Sequence, residues 1–109
     1  MQKMQTVAIL AALTAGTGMM LRGADKGDAA KGKVVFEQCA VCHNADSEEK
    51  KMGPGLKGLF KRDKLVNGKK PTDANVRAKI DEGGNGMPPY KDLLSDQEKD
   101  DLIAYLKTL

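Results

Sequence analysis

The sequence has no tryptophan, two phenylalanines and two tyrosines, so aromatics make up 4% of its 109 residues. A chain of that length is one domain, and with so few large side chains its own core is thin. A buried cofactor would supply the missing apolar mass. Thiol and imidazole groups are scarce too: Cys39, Cys42 and His43 are the only cysteines and the only histidine. Three such groups fall short of the four ligands that a structural zinc site takes. No strand pattern accompanies the cysteines, which argues against a thioredoxin-type dithiol. A disulfide between Cys39 and Cys42 would close a very small loop and leave His43 unexplained. No Lys/Arg run with interleaved aromatics occurs, which excludes nucleic acid as a partner. Internal repeats and low-complexity tracts are also missing.

What is present is concentrated in five residues. Cys39-Ala40-Val41-Cys42-His43 has the C-x-x-C-H spacing of covalent haem attachment. Each thiol adds across one vinyl group of the porphyrin, and two intervening residues let both sulfurs reach neighbouring vinyls. The histidine that follows is carried under the ring, where its imidazole ligates the iron. The motif therefore assigns Cys39 and Cys42 to haem attachment and His43 to the metal.

Residues 1–24 differ in kind from the rest. Lys3 gives a positive start, Thr6 to Leu21 is small and apolar without charge, and Arg22 closes the run. These are the n- and h-regions of an export signal. The run is shorter than the roughly 20 apolar residues a spanning helix needs, and Thr14, Gly16, Thr17 and Gly18 interrupt it. Cleavage before Asp25 is expected, with a retained N-terminal anchor as the alternative. The segment contains no cysteine, which excludes lipid attachment there. Loss of Lys3 and Arg22 takes the 18 basic residues to 16 against 15 acidic ones, so residues 25–109 are close to neutral.

From Asp28, a plausible N-cap, the pattern is helical and predicts a helix leading straight into the cysteines. Gly53-Pro54-Gly55 marks a tight loop, one of whose carbonyls would accept the second ring N–H of His43 and fix its orientation. Arg62, beyond Leu59 and Phe60, either faces the haem propionates or is solvated. A short helix follows, with Asp73 as N-cap and Val76 and Ile80 on one face, and it stops at Gly83-Gly84. The last helix starts at Ser95 with Glu98 completing a capping box, and Leu102, Ile103, Tyr105, Leu106 and Leu109 form its buried stripe. With the only histidine used, a low-spin iron needs a Met, Lys, Asn or Tyr as its second ligand. Met1, Met4, Met19 and Met20 lie in the export segment, and Met52 is close to His43 in sequence. Met87 lies far along the chain between Gly86 and Pro88, able to approach the ring and held once placed.

Taken together, residues 27–109 resemble the class I c-type cytochromes, in their short bacterial mono-haem form. Three elements carry the resemblance: Cys39 to His43, Gly53 to Arg62, and Met87 with the helix Leu102-Ile103-Ala104-Tyr105-Leu106. It implies an all-α fold of three to five helices wrapped around one covalently attached haem c, with His43 and Met87 on the iron. It also implies that the Pro54 carbonyl accepts from His43, that Arg62 sits near a propionate, and that the last helix crosses the first near Gly32 and Phe36. Either Val35 or Phe36 meets it there, because Phe36 lies three residues before Cys39 rather than four. The function implied is single-electron transfer between a donor and an acceptor redox protein, without enzymatic activity or a small-molecule substrate. The expected protein is a soluble periplasmic monomer, membrane-associated only through an uncleaved N-terminus. Two other readings remain: a haem peroxidase or gas-sensing module whose Met87 is labile because of the Gly83 to Gly86 run, and a tethered haem module of a membrane oxidoreductase. Basic residues from Lys50 to Lys70 against acidic ones from Asp92 to Asp101 suggest a basic docking rim or simply solvated lysines.

Overall fold

The computed structural model describes residues 27–109; the export segment expected over 1–24 lies outside them. Three α-helices are joined by long irregular segments, α1 (Ala29–Phe36), α2 (Asp73–Glu82) and α3 (Asp96–Leu106), with a one-turn 3-10 helix at Leu59–Lys61. Among the described residues there is no strand, so the all-α expectation holds with three helices.

Helix α1 begins where Asp28 caps it, its carboxylate accepting from the Ala30 and Lys31 amides at 2.9 and 3.3 Å. It does not run into the cysteines. The helix ends at Phe36, and residues 37–42 are tight turns. The Phe36 carbonyl accepts from both the Cys39 and the Ala40 amide, at 2.7 and 3.0 Å, and this i to i+3 sharing tightens the last turn. The Cys39 carbonyl then accepts from the Cys42 and His43 amides at 3.1 and 3.0 Å. The attachment motif is therefore wound into short turns that depend on their surroundings.

In α2 the cap is Thr72, whose hydroxyl accepts from the Asn75 amide at 3.1 Å, and Asp73 is the first helical residue. Both residue types cap well. Here the extended backbone falls on Thr72, and Asp73 takes a first-turn position that suits its charge. Helix α3 has the capping box at Ser95 and Glu98, with Ser95 Oγ accepting from the Glu98 amide at 3.1 Å and Glu98 Oε1 from the Ser95 amide at 2.9 Å.

The core lies where α1 and α3 cross. Phe36, Leu102, Ile103 and Leu106 are buried there, joined by Leu59, Val76, Ile80 and Leu94. Phe36, rather than the half-buried Val35, meets the last helix, its ring centroid 5.4 Å from that of Tyr105 at an interplanar angle of 52°. Gly32 makes the close approach possible, because a Cβ on it would fall onto the Asp101 carbonyl and lie 2.7 Å from Tyr105 Cβ. The buried Asp101 carboxylate accepts from the Asp28 amide at 2.8 Å and the Gln97 side chain at 3.0 Å, which ties the start of α1 to α3. Ion pairs link α2 to α3: Arg77 to Asp96 and Asp100, Lys107 to Asp73, and Lys99 to Asp81. The start of α2 thus faces the end of α3, and its end faces the start of α3.

Candidate functional site

His43 is the most firmly placed of the candidate residues. Its Nδ1 lies 2.8 Å from the Pro54 carbonyl oxygen. A carbonyl only accepts, so Nδ1 carries the proton and Nε2 presents a lone pair. The loop that brings Pro54 there is pinned to the motif at several points. The Gly53 amide donates to the Cys42 carbonyl at 2.7 Å and the Leu56 amide to the Asn44 carbonyl at 2.8 Å. Lys51 Nζ donates to the Ala40 carbonyl at 2.8 Å. Gly53 lies against the imidazole, where a Cβ would stand 2.5 Å from Cε1 and 2.8 Å from Nδ1. Any larger residue would push the ring away from Pro54.

Arg62 supports the same loop. Its Nη2 donates to the Gly55 and Lys57 carbonyls, both at 2.8 Å. The guanidinium is thus neither simply solvated nor free to swing, and the carbonyl next to Pro54 in the chain is held by it.

Cys39 and Cys42 are free thiols, each half-buried. Burial, and then the neighbouring Cys42 sulfur, push the Cys39 thiol above its ordinary pKa. Among the described residues no group of three or more His, Cys, Asp or Glu could hold a metal ion.

Met87 lies on a different part of the chain. The Gly84 amide donates to the Met87 carbonyl at 2.9 Å and the Met87 amide to the Gly84 carbonyl at 3.0 Å. Between them Asn85 and Gly86 have φ of 53° and 95°, both left-handed, as a type I′ turn requires. The glycine run read as slack from the sequence is a closed turn. Gly83 has φ 65°, and a Cβ there would fall onto the Met87 carbonyl and 2.7 Å from the Pro88 carbonyl carbon. Gly83→Ala is expected to cost about 2–3 kcal/mol, from the left-handed backbone and the displaced strand of loop together. Chemical denaturation of the holoprotein measures this, and a loss under about 0.5 kcal/mol, the range of an ordinary surface substitution, would contradict it.

Two residues near the site escaped the sequence reading. Tyr90, three residues beyond Met87, is half-buried against the core; burial, then the charges of Cys39 and Cys42, raise its hydroxyl above the usual pKa. Lys99 is buried at the start of α3. It stands three, four and seven residues before Leu102, Ile103 and Leu106, a helical spacing that already marked it as core-facing. Met52, by contrast, is 79% exposed with its sulfur 3.9 Å from Cys42 Sγ, on the cysteine side.

The donor chemistry fits a covalently held haem: two unpaired thiols, an imidazole with a committed tautomer, and half-buried Val35, Leu56, Phe60, Leu65 and Tyr90 along the core. Residues 29–109 match the family described as cytochrome c. The chain is 38% identical to cytochrome c6 of Synechocystis, over 72% of this chain and 63% of that protein. It is 36% identical to cytochrome c2 of Blastochloris viridis, over 73% and 76% of the two. Among solved structures, cytochrome c6 of the diatom Phaeodactylum tricornutum superposes with a TM-score of 0.60 at 27% identity, covering 75% of this chain and 93% of that one. The chain belongs to the cytochrome c family, class I and all-α, and is an electron-transfer protein rather than an enzyme, carrying haem c and its iron covalently.

Proposed function

We propose that the protein is a mono-haem single-electron carrier in which Cys39 and Cys42 hold the haem and His43 and Met87 ligate its iron. The observation that carries this reading is the 2.8 Å contact from His43 Nδ1 to the Pro54 carbonyl, which leaves Nε2 as the ligating nitrogen. When bound, haem supplies reversible one-electron chemistry at its iron. The chain supplies the rest. Pro54, backed by Arg62 on the Gly55 carbonyl, orients the imidazole. The closed turn at Gly84–Met87 fixes the backbone of the methionine. A pocket held this firmly keeps the same ligands in both redox states, which limits rearrangement on electron transfer. Arg62 retains Nε and Nη1, which we assign to a haem propionate.

We further propose that residues 1–24 are removed on export and that residues 25–109 act as a soluble periplasmic monomer between a donor and an acceptor redox protein. Among the described residues no helix is long and apolar enough to cross a membrane. The lysines at 50, 57, 61, 64, 69 and 70 are exposed and available to an acidic partner, while Lys51, also exposed, holds the Ala40 carbonyl.

Attachment is tested by acid–acetone extraction of the holoprotein. Haem is expected to stay with the polypeptide, and with a peptide spanning Cys39 to His43 after digestion. Haem passing into the organic phase would overturn the assignment of both cysteines.

A further inference from the structure

Lys99 is 4% exposed, and a lysine buried to that degree persists only where its charge is met. Its ammonium lies 2.8 Å from Asp81 Oδ1 and donates to the Lys91 carbonyl at 3.0 Å. Asp81 is the penultimate residue of α2, and Lys91 follows Met87 by four. The two partners therefore stand at opposite ends of the segment that carries Met87.

Little else closes that neck. The Tyr90 amide donates to the Ile80 carbonyl at 2.9 Å, and the Lys91 amide reaches the Asp81 carbonyl at a longer 3.3 Å. Beyond them Gly84, Asn85, Gly86, Pro88 and Pro89 are exposed, and Lys79 Nζ holds only the Gly83 carbonyl, at 3.0 Å. Asp81 Oδ1 is shut off from solvent and takes no well-directed hydrogen bond, so the adjacent Lys99 charge is its compensation. The pair is buried on the lysine side, at 5%, and partly exposed on the aspartate side, at 25%; an exposed ion pair would matter little, but removing Asp81 would leave the buried ammonium without its counter-charge.

We propose that Lys99 is a positioning residue for Met87, its ammonium locking both ends of the Met87 segment to α3. The proposal rests on the reading of Met87 as an iron ligand. Lys99 acts at a distance from the methionine, through the Asp81 carboxylate and the Lys91 carbonyl.

The test uses the ferric holoprotein with Lys99→Met, which keeps the length and apolar stem of the side chain. Two rates are measured: amide exchange at Tyr90 and Lys91, and binding of added imidazole, which requires Met87 to leave. Both are expected to rise about tenfold, as loss of a buried charged partner from the neck implies. Lys99→Arg, which keeps the charge, should stay within about threefold of the parent. A merely structural role is separated by Phe36→Leu, in the α1–α3 crossing and matched for denaturation midpoint, which should leave both rates near the parent's. Unchanged rates in Lys99→Met, or an equal rise in Phe36→Leu, would overturn the proposal. If Lys99→Met does not retain haem, Asp81→Asn reads the same rates, with a several-fold rise expected and none overturning it. A parent that binds imidazole as fast as Met87→Ala defeats Met87 ligation and the role of Lys99 with it; a slow parent with unchanged Lys99→Met defeats the role of Lys99 alone.

Discussion

Met87→Ala is expected to turn the low-spin iron high-spin or ligand-exchanged, open the reduced protein to carbon monoxide, and lower the reduction potential. His43 is the only histidine, so no second imidazole can take the sixth position. Thioether ligation favours the reduced iron, and its loss should move the potential down by a sizeable part of the roughly 0.8 V that axial ligands span. The turn itself should survive, because the two Gly84–Met87 hydrogen bonds are backbone to backbone and an alanine can make both. Met52→Ala is the comparison. Met52 is 79% exposed beside Cys42, and its loss should leave the spectrum close to the parent's. A low-spin spectrum and potential unchanged in Met87→Ala, measured by optical redox titration, would refute the ligand assignment.

How far the site could be read in advance depended on how local each feature is. The capping box at Ser95 and Glu98 is set by residues within one helix and stands as the sequence predicts, whereas of the predicted stripe Leu102, Ile103 and Leu106 are buried and Tyr105 and Leu109 half-buried, Leu109 beyond the end of the helix. The end of α1 is not local. Whether the chain stays helical past Phe36 depends on the Gly53 amide and the Lys51 ammonium, which take the Cys42 and Ala40 carbonyls from another segment. No periodicity in residues 29–43 carries that information. Thr72 and Asp73 are adjacent residues of equal capping chemistry, and only the backbone separates them. Arg62 shows a different limit. Its partners, the Gly55 and Lys57 carbonyls, are backbone groups of a loop whose course the sequence does not fix. Lys99 was legible by spacing but masked by residue type, since a lysine between acidic residues reads as solvent-facing until Asp81 and the Lys91 carbonyl are placed beside it.

Gly32→Val is expected to prevent stable folding of the holoprotein, and Gly32→Ala to cost about 3 kcal/mol. Alanine raises helix propensity by about 1 kcal/mol over glycine, so propensity alone predicts a gain in α1. Space decides the sign. The added Cβ meets the Asp101 carbonyl and, at 2.7 Å, Tyr105 Cβ, and neither can rotate away as the tip of a flexible side chain would. The helices have to separate. Separation pulls Phe36 from Tyr105, which it now meets at 5.4 Å, and draws the Asp28 amide from the buried Asp101 carboxylate, now 2.8 Å away. Opening a packed crossing and leaving that carboxylate with one fewer donor are each worth about 1–3 kcal/mol. Against a total stability of about 5–15 kcal/mol for a domain, the valine variant, with two further methyl groups in the same space, has little left. Lys31→Ala, one residue away on the exposed face, should change stability by no more than about 0.5 kcal/mol. Denaturant titration of the three variants decides it: Gly32→Ala as stable as Lys31→Ala would show that the crossing is not set by the Gly32 contact.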